Sequence, residues 1–195
     1  MARLFIADEV QGGFGRMGSW WGFEREAGLV PDIVTLGKPM GAGHPIGGMI
    51  IKSDLVAAFG QKRRYFNTFG GTTVSAAVGT AALDVIEGEG LLETAAHVGA
   101  HFRERLDQLA SRHEQMGDVR GSGLYLGVEL VTDRESKTPW TEGAASLVNA
   151  LRRKGVLVGT CGKAGNVLKI RPPLAFKAEH VGRFAEALDE ALKGA

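Results

Sequence analysis

Leu4-Phe5-Ile6-Ala7-Asp8-Glu9, followed by Ile33-Val34-Thr35-Leu36-Gly37-Lys38-Pro39, decides how this chain is read. Residues 4–7 are continuous, apolar and short, the pattern of a strand buried in a parallel sheet. Ile33-Val34-Thr35 reads as a second strand. The first ends in a carboxylate and the second runs into a lysine, so Asp8 and Lys38 can meet in one site. A lysine in a water-poor pocket loses part of its preference for the charged form, and the free amine is a nucleophile. A carboxylate opposite it can hold a protonated ring nitrogen.

The first strand begins almost at residue 1, with no turn or edge device before it, although a buried parallel strand needs neighbours on both sides. The chain is therefore expected to be a piece of a longer protein. Outward from the two strands, Trp20–Ala27 predicts a short helix and Ile46–Lys52 a third strand, with Ser53 suited to cap the helix after it. Val74, Ala77, Val78, Ala81 and Val85 recur at helical spacing, as do Ala95, Val98, Phe102, Leu106 and Leu109. Gly88 and Gly90 interrupt the pattern between these two helices and set a domain boundary, giving residues 1–89 and 90–195. Beyond it the style is α+β: strands at Leu124–Val131, Val156–Val158 and Val167–Ile170, helices at Ala144–Arg153 and through Val181, Phe184, Leu188 and Leu192. Pro172-Pro173 stops the last strand.

Composition removes several classes. A formal net charge of +1 over 195 residues gives no electrostatic reason to expect nucleic acid or an anionic membrane. Cys161 is the single cysteine, which excludes an internal disulfide and a cysteine-rich metal site. No apolar run approaches the roughly 20 residues of a membrane span, and no charged-then-apolar leader precedes the first strand, so a cytoplasmic location is expected. His44, His97, His101, His113 and His180 are scattered without metal-ligand spacing, so no metal is expected. The 29 glycines are about twice the usual ~7% share and cluster at 12–18, 37–48, 70–71 and 117–127, which suits loops that approach a ligand closely.

Each candidate has a plain structural role beside its chemical one. Asp8 alone is most often a turn carboxylate, and Glu9 equally suits a partner for Arg16. Lys38 gains weight from Gly37 before it, Pro39 after it and the apolar strand leading in. Gly13, Gly15 and Gly18 spell G-x-G-x-x-G. The strand does not run straight into that turn, however, and no acid closes a second strand about twenty residues on, so dinucleotide binding fails. Gly37-Lys38 lacks the upstream glycine and the Ser/Thr of a P-loop. Tyr65-Phe66-Asn67-Thr68-Phe69-Gly70-Gly71 is either a tight helix entry or a phosphate cradle. An acid that holds a ring nitrogen and an amine that bonds an aldehyde form the protein half of pyridoxal-phosphate chemistry.

Taken together, Asp8-Glu9-Val10-Gln11, Gly13-Phe14-Gly15-Arg16, Gly37-Lys38-Pro39, Thr68-Phe69-Gly70-Gly71 and Pro172-Pro173-Leu174 resemble the class III aminotransferases, fold-type I pyridoxal-phosphate enzymes. The resemblance implies an α/β fold: the C-terminal part of the cofactor-binding large domain over 1–89 and a small α+β C-terminal domain over 90–195. The family's phosphate-binding loop and ring-stacking aromatic lie upstream of these motifs and have no counterpart here. By resemblance, Lys38 bonds the aldehyde of pyridoxal 5'-phosphate and shuttles the substrate proton, and Asp8 pairs with the pyridine nitrogen. Val10 packs on the ring, Gln11 reaches the ring hydroxyl, and Thr68 contacts the cofactor phosphate across a homodimer interface. Many members carry a substrate-gripping arginine two residues before the double proline. Here Lys169 takes that place and Arg171 directly precedes the prolines, or both are solvated strand-end charges. A lysine at 169, with Lys38-Pro39-Met40-Gly41 and Phe66-Asn67-Thr68, resembles the ethanolamine-phosphate phospho-lyases and also the alanine–glyoxylate-type transaminases. The expected activity is transfer of an amino group from an amine or amino acid to a keto acid. The alternatives are phosphate elimination from an amino-alcohol phosphate and a non-catalytic fragment.

Overall fold

Among its described residues, 3–194, the computed structural model divides into two compact units, Met1–Leu92 and Glu93–Ala195. In the first, β-branched and apolar residues form three short strands: β1 (Ile6–Asp8), β2 (Ile33–Leu36) and β3 (Gly48–Ile51). β1 runs parallel to β2 with Asp8 opposite Thr35, and β3 runs antiparallel to β2 with Leu36 opposite Gly48. Asp32 fixes the far end of this sheet. Its carboxylate accepts the Phe5 N–H at 2.8 Å and the Lys52 ammonium at 2.7 Å. The Lys52 ammonium and the Phe5 amide together hold Asp32 below the ordinary carboxyl range.

α1 (Ser53–Lys62) and α2 (Thr73–Gly88) follow. Ser53 is the first helical residue of α1 rather than its cap; Lys52 holds the cap position and makes no capping hydrogen bond. The expected helix near Trp20 is a single 3-10 turn, Gly22–Arg25. The expectation of a buried first strand fails: Leu4, Phe5 and Ile6 are all exposed and only Ala7 of residues 4–7 is buried. The reason is layering: among the described residues no helix of this unit packs substantially on β1, and its strand neighbour β2 covers only its edge.

α2 continues through Gly88, and α3 (Leu91–Ala110) starts after a break centred on Gly90, whose φ is +59°. The second unit is an antiparallel sheet in the order β4 (Met116–Ser122), β5 (Tyr125–Asp133), β8 (Val167–Ile170), β7 (Gly159–Cys161). The two-residue β6 (Thr138–Pro139) pairs with β5 outside that order. Period-2 alternation on β5 sends Leu126, Val128 and Leu130 into the core, where Leu168 and Ile170 of β8 join them. α3, α4 (Thr141–Arg153) and α5 (Ala178–Lys193) cover this core with Phe102, Leu106, Leu147, Leu151, Phe184, Leu188 and Leu192. Each such side chain contributes roughly 1.5–3 kcal/mol on burial. Val156–Val158 is not the expected strand; it leads into β7, which starts at Gly159. β4 went unpredicted because Gly117, Asp118 and Gly121 break its apolar alternation.

Two polar devices close the second unit. The Arg134 guanidinium donates to the carbonyl of Ala110, the last residue of α3, and to those of His113 at 3.0 Å and Met116 at 3.1 Å, joining the helix end to the start of β4. Asp189 on α5 accepts from His113 Nε2 at 2.6 Å and from Lys193 at 2.8 Å. Lys193 first, then His113, lower the Asp189 pKa from 3.8 to about 2. Because the folded value is depressed, the stability this cluster supplies is complete above pH 3.8 and is lost as pH falls toward 2. Acid titration of Asp189→Asn should therefore show a shallower loss of thermal midpoint across that window than the parent chain. Gly99 of α3 meets Gly123 so closely that a Cβ would stand 2.3 Å from its carbonyl. Gly99→Ala should lower stability by about 1–3 kcal/mol, read as a reduced melting temperature.

Candidate active site

Parallel pairing sends the carboxyl ends of β1 and β2 to the same edge of the first sheet, the edge where open α/β sheets bind ligands. Asp8 is the last residue of β1. Its Oδ1 accepts the Val10 N–H at 3.2 Å and the Thr35 hydroxyl at 3.2 Å, and among the described residues no hydrogen bond engages Oδ2. Thr35 is its register partner on β2, so the strand pairing itself aims the carboxylate.

Lys38 opens a 3-10 turn, Lys38–Gly41, directly after β2. Its φ is +33°, a left-handed value that a lysine seldom adopts, and Pro39 restricts it further. The Met40 N–H donates to the Gly37 carbonyl at 2.9 Å and the Ala42 N–H to the Pro39 carbonyl at 3.0 Å. His44 Nε2 lies 2.8 Å from the Ser75 hydroxyl, tying the following loop to α2. Lys38 is exposed, so the water-poor pocket expected around it is not formed by this unit.

Val10 lies against Gly37, where a Cβ would stand 3.6 Å from Val10 Cγ1. Gln11 carries the one side-chain oxygen among the described residues that is buried without a partner, Oε1. A buried carbonyl left so is a standing request for a donor. Thr68 is exposed in the turn before α2. In that turn the Asn67 carboxamide accepts the Phe69 N–H at 3.1 Å, the hydrogen bond of a tight helix entry. Lys169 and Arg171 belong to the second unit, on and just after β8. Asp8, Val10, Gln11 and Lys38 thus share one sheet edge, whereas Thr68 lies in the separate turn before α2.

The acid that organises the loop is Glu9, which is buried. Its two oxygens accept the N–H groups of Gly22 and Phe23, each at 2.9 Å. The acceptors sit at the start of the Gly22–Arg25 turn, where backbone N–H groups lack partners. Inside the loop, Phe14 is buried edge-on to Trp21 with ring centres 5.2 Å apart. Residues 9–22 are therefore a folded segment whose shape returns Val10 and Gln11 to the sheet edge.

The aminotransferase class-III family model matches residues 1–192. A mitochondrial homolog of alanine–glyoxylate aminotransferase 2 from Arabidopsis thaliana is 49% identical over 186 residues, covering 95% of this chain and 39% of that protein. An ethanolamine-phosphate phospho-lyase homolog from Caenorhabditis elegans is 40% identical, covering 97% and 41%. A phospholyase from Arthrobacter, solved in complex with phosphoethanolamine, superposes with a TM-score of 0.93 at 40% identity, covering 98% of this chain and 46% of that one. A Bacillus anthracis aminotransferase gives 0.91 at 35% identity. This chain belongs to the class III aminotransferase family. It spans less than half the length of these relatives.

Class III aminotransferases use pyridoxal phosphate. The sheet edge of this class III chain fits such a group at two atoms. The uncommitted Oδ2 of Asp8 suits a ring N–H, and the orphaned Oε1 of Gln11 suits a ring hydroxyl. Glu9→Ala would leave two backbone N–H groups without an acceptor and should destabilise the first unit by about 1.5–3 kcal/mol. Hydrogen exchange should show the change first at the amides of Gly22 and Phe23, with those of the second unit unaffected.

Proposed function

We propose that this chain is the C-terminal part of a pyridoxal-phosphate-dependent transaminase that moves an amino group from an amine or amino acid to a keto acid. The observation that carries the reading is the register of β1 and β2, which puts Asp8 and the Lys38 turn at one sheet edge. Pyridoxal phosphate, when bound, supplies an aldehyde carbon and an electron-accepting ring. Asp8 Oδ2 holds the proton on the ring nitrogen, and the Thr35 hydroxyl and Val10 N–H keep that carboxylate oriented. Lys38 Nζ would hold the group through its aldehyde carbon, water leaving as the C=N bond forms, and, once displaced by the substrate amine, would take the proton from the substrate's amine-bearing carbon and return it to the former aldehyde carbon. Val10 supports one ring face, and Gln11 Oε1 accepts from the ring hydroxyl.

Lys169 and Arg171 supply cationic contacts for the acid group of the substrate. Residues 1–89 act as the end of the cofactor domain and 90–195 as the small domain. A homodimer in the cytoplasm completes the reading. Thr68 takes the cofactor phosphate from the neighbouring subunit, and the exposure of Tyr65, Phe66 and Phe69 beside it, 76%, 86% and 82%, supports cover by a partner. No helix among the described residues is long and apolar enough to cross a membrane.

One feature favours phosphate elimination as a second reading. Lys169 is a point charge where many members carry the planar fork of arginine, and a point charge serves a phosphate as well as a carboxylate.

The chain incubated with pyridoxal phosphate and then borohydride should carry the reduced cofactor on Lys38, located by peptide mass mapping. Label on another lysine, or none on Lys38, overturns the assignment. Asp8→Asn should weaken cofactor binding by roughly tenfold to a hundredfold, the equivalent of losing a bond of about 1.5–3 kcal/mol. Phosphate release from phosphoethanolamine, with no amino group passed to a keto acid, would select the second reading.

A further inference from the structure

The second unit contains a cleft of about 600 Å³ to which the reaction assigns only part of the lining. It opens where β8 ends at Ile170, between the Arg171-Pro172-Pro173 exit, the Gly155–Gly159 segment entering β7, and the first turns of α5. Its volume lies within the range of small-molecule sites, about 300–1,000 Å³.

The floor is aromatic. Phe102 is fully buried, stacks on Phe176 at 5.9 Å between ring centres, and meets Phe184 edge-on at 5.0 Å. Half-buried Val156 and Val158 extend the apolar wall.

The charged side chains that line the cleft are all cationic, and the remaining polar one is His180, whose Nε2 lies 3.6 Å from Glu179 Oε1. Lys169, Arg171 and Arg183 face the cleft, and no aspartate or glutamate lines it. Arg171 is steadied over the Tyr125 ring, 5.8 Å from its centre. Arg183 lies across the Gly155 turn, where Gly155 has a φ of +79° and a Cβ would come within 2.9 Å of the guanidinium. Neither Lys169 nor Arg183 makes a salt bridge or side-chain hydrogen bond among the described residues. Arginines elsewhere in this unit do: Arg103 pairs with Asp107, and Arg120 with Asp118 and Glu129. Cations gathered without counter-charge over an apolar floor repel one another unless an anion joins them.

We propose that this cleft binds small amphipathic anions: a carboxylate or phosphate held by Arg171 and Arg183, on an apolar body of about six carbons laid over Phe176 and Val158. Lys169 and Arg171 are shared with the substrate reading above, whereas Arg183 and the aromatic floor have no part in it. Binding here needs no cofactor, so it stands or falls separately from the assignment of Lys38.

Calorimetric titration of the cofactor-free chain with hexanoate, hexyl phosphate and hexan-1-ol tests it. At least one anion should bind, the neutral alcohol should bind roughly tenfold more weakly or worse, and Arg183→Gln should weaken the anion by roughly tenfold. The tighter of the two anions identifies the head group. Should Arg183→Gln fail to fold, amide chemical-shift changes on adding the anion to the parent chain should centre on residues 155–159 and 176. Equal affinity for hexan-1-ol and the anions, unchanged affinity in folded Arg183→Gln, shifts centred elsewhere, or no binding by either anion would overturn the proposal.

Discussion

The parallel pairing of β1 with β2 is the constraint from which the candidate site follows. Side chains alternate across a strand, so slipping this register by one residue would turn Asp8 to the opposite face and bring Ala7 forward. Two aspartates guard the register from its two ends. Asp32 gathers the Phe5 amide and the Lys52 ammonium at the amino end, and Asp8 takes the Thr35 hydroxyl at the carboxyl end. The carboxylate with chemistry to do keeps one oxygen free, while the structural one has both engaged.

Backbone shape is held by acids and turns rather than by apolar bulk. Glu9 folds residues 9–22 through two amide contacts, which places Val10 beside Gly37 and leaves Gln11 facing inward. Lys38 occupies a left-handed conformation of a kind that costs of order 1–3 kcal/mol, sustained by the turn that follows it. The second unit draws its stability from an ordinary core, with Arg134 and Asp189 clamping the helix ends.

Much of this was legible in the residues. Helices α3 and α5 follow from spacing, because each buries one regular face; α2 is a helix where its spacing put one although Val74 and Val85 on it are exposed, and β8 was legible as a short apolar run. β2 was legible as an apolar run. The family followed from motifs strung along the whole chain. What periodicity could not give was burial that depends on a second layer: residues 4–7 spell a buried strand, yet three of the four are exposed. Nor could it give partners distant in sequence. Glu9 has Arg16 nearby as a plausible partner, and only the folded loop brings Gly22 and Phe23 to it. Thr35 as the orienting hydroxyl becomes visible once the strands are known to run parallel. Arg183 carries no local signal at all, since a charged residue on an amphipathic helix reads as solvated.

The three-stranded sheet has consequences for how such a chain behaves in a test tube. β1 and β3 are both outer strands, and Ile6, Met49 and Ile50 on them are more than half exposed. Rows of unpaired amides next to apolar side chains recruit further strands. The outer edges of β1 and β3 are where a further strand can add to this sheet. Lysines at positions 49 and 50 would blunt the β3 edge, and Met49 is the register partner of Thr35, which orients Asp8.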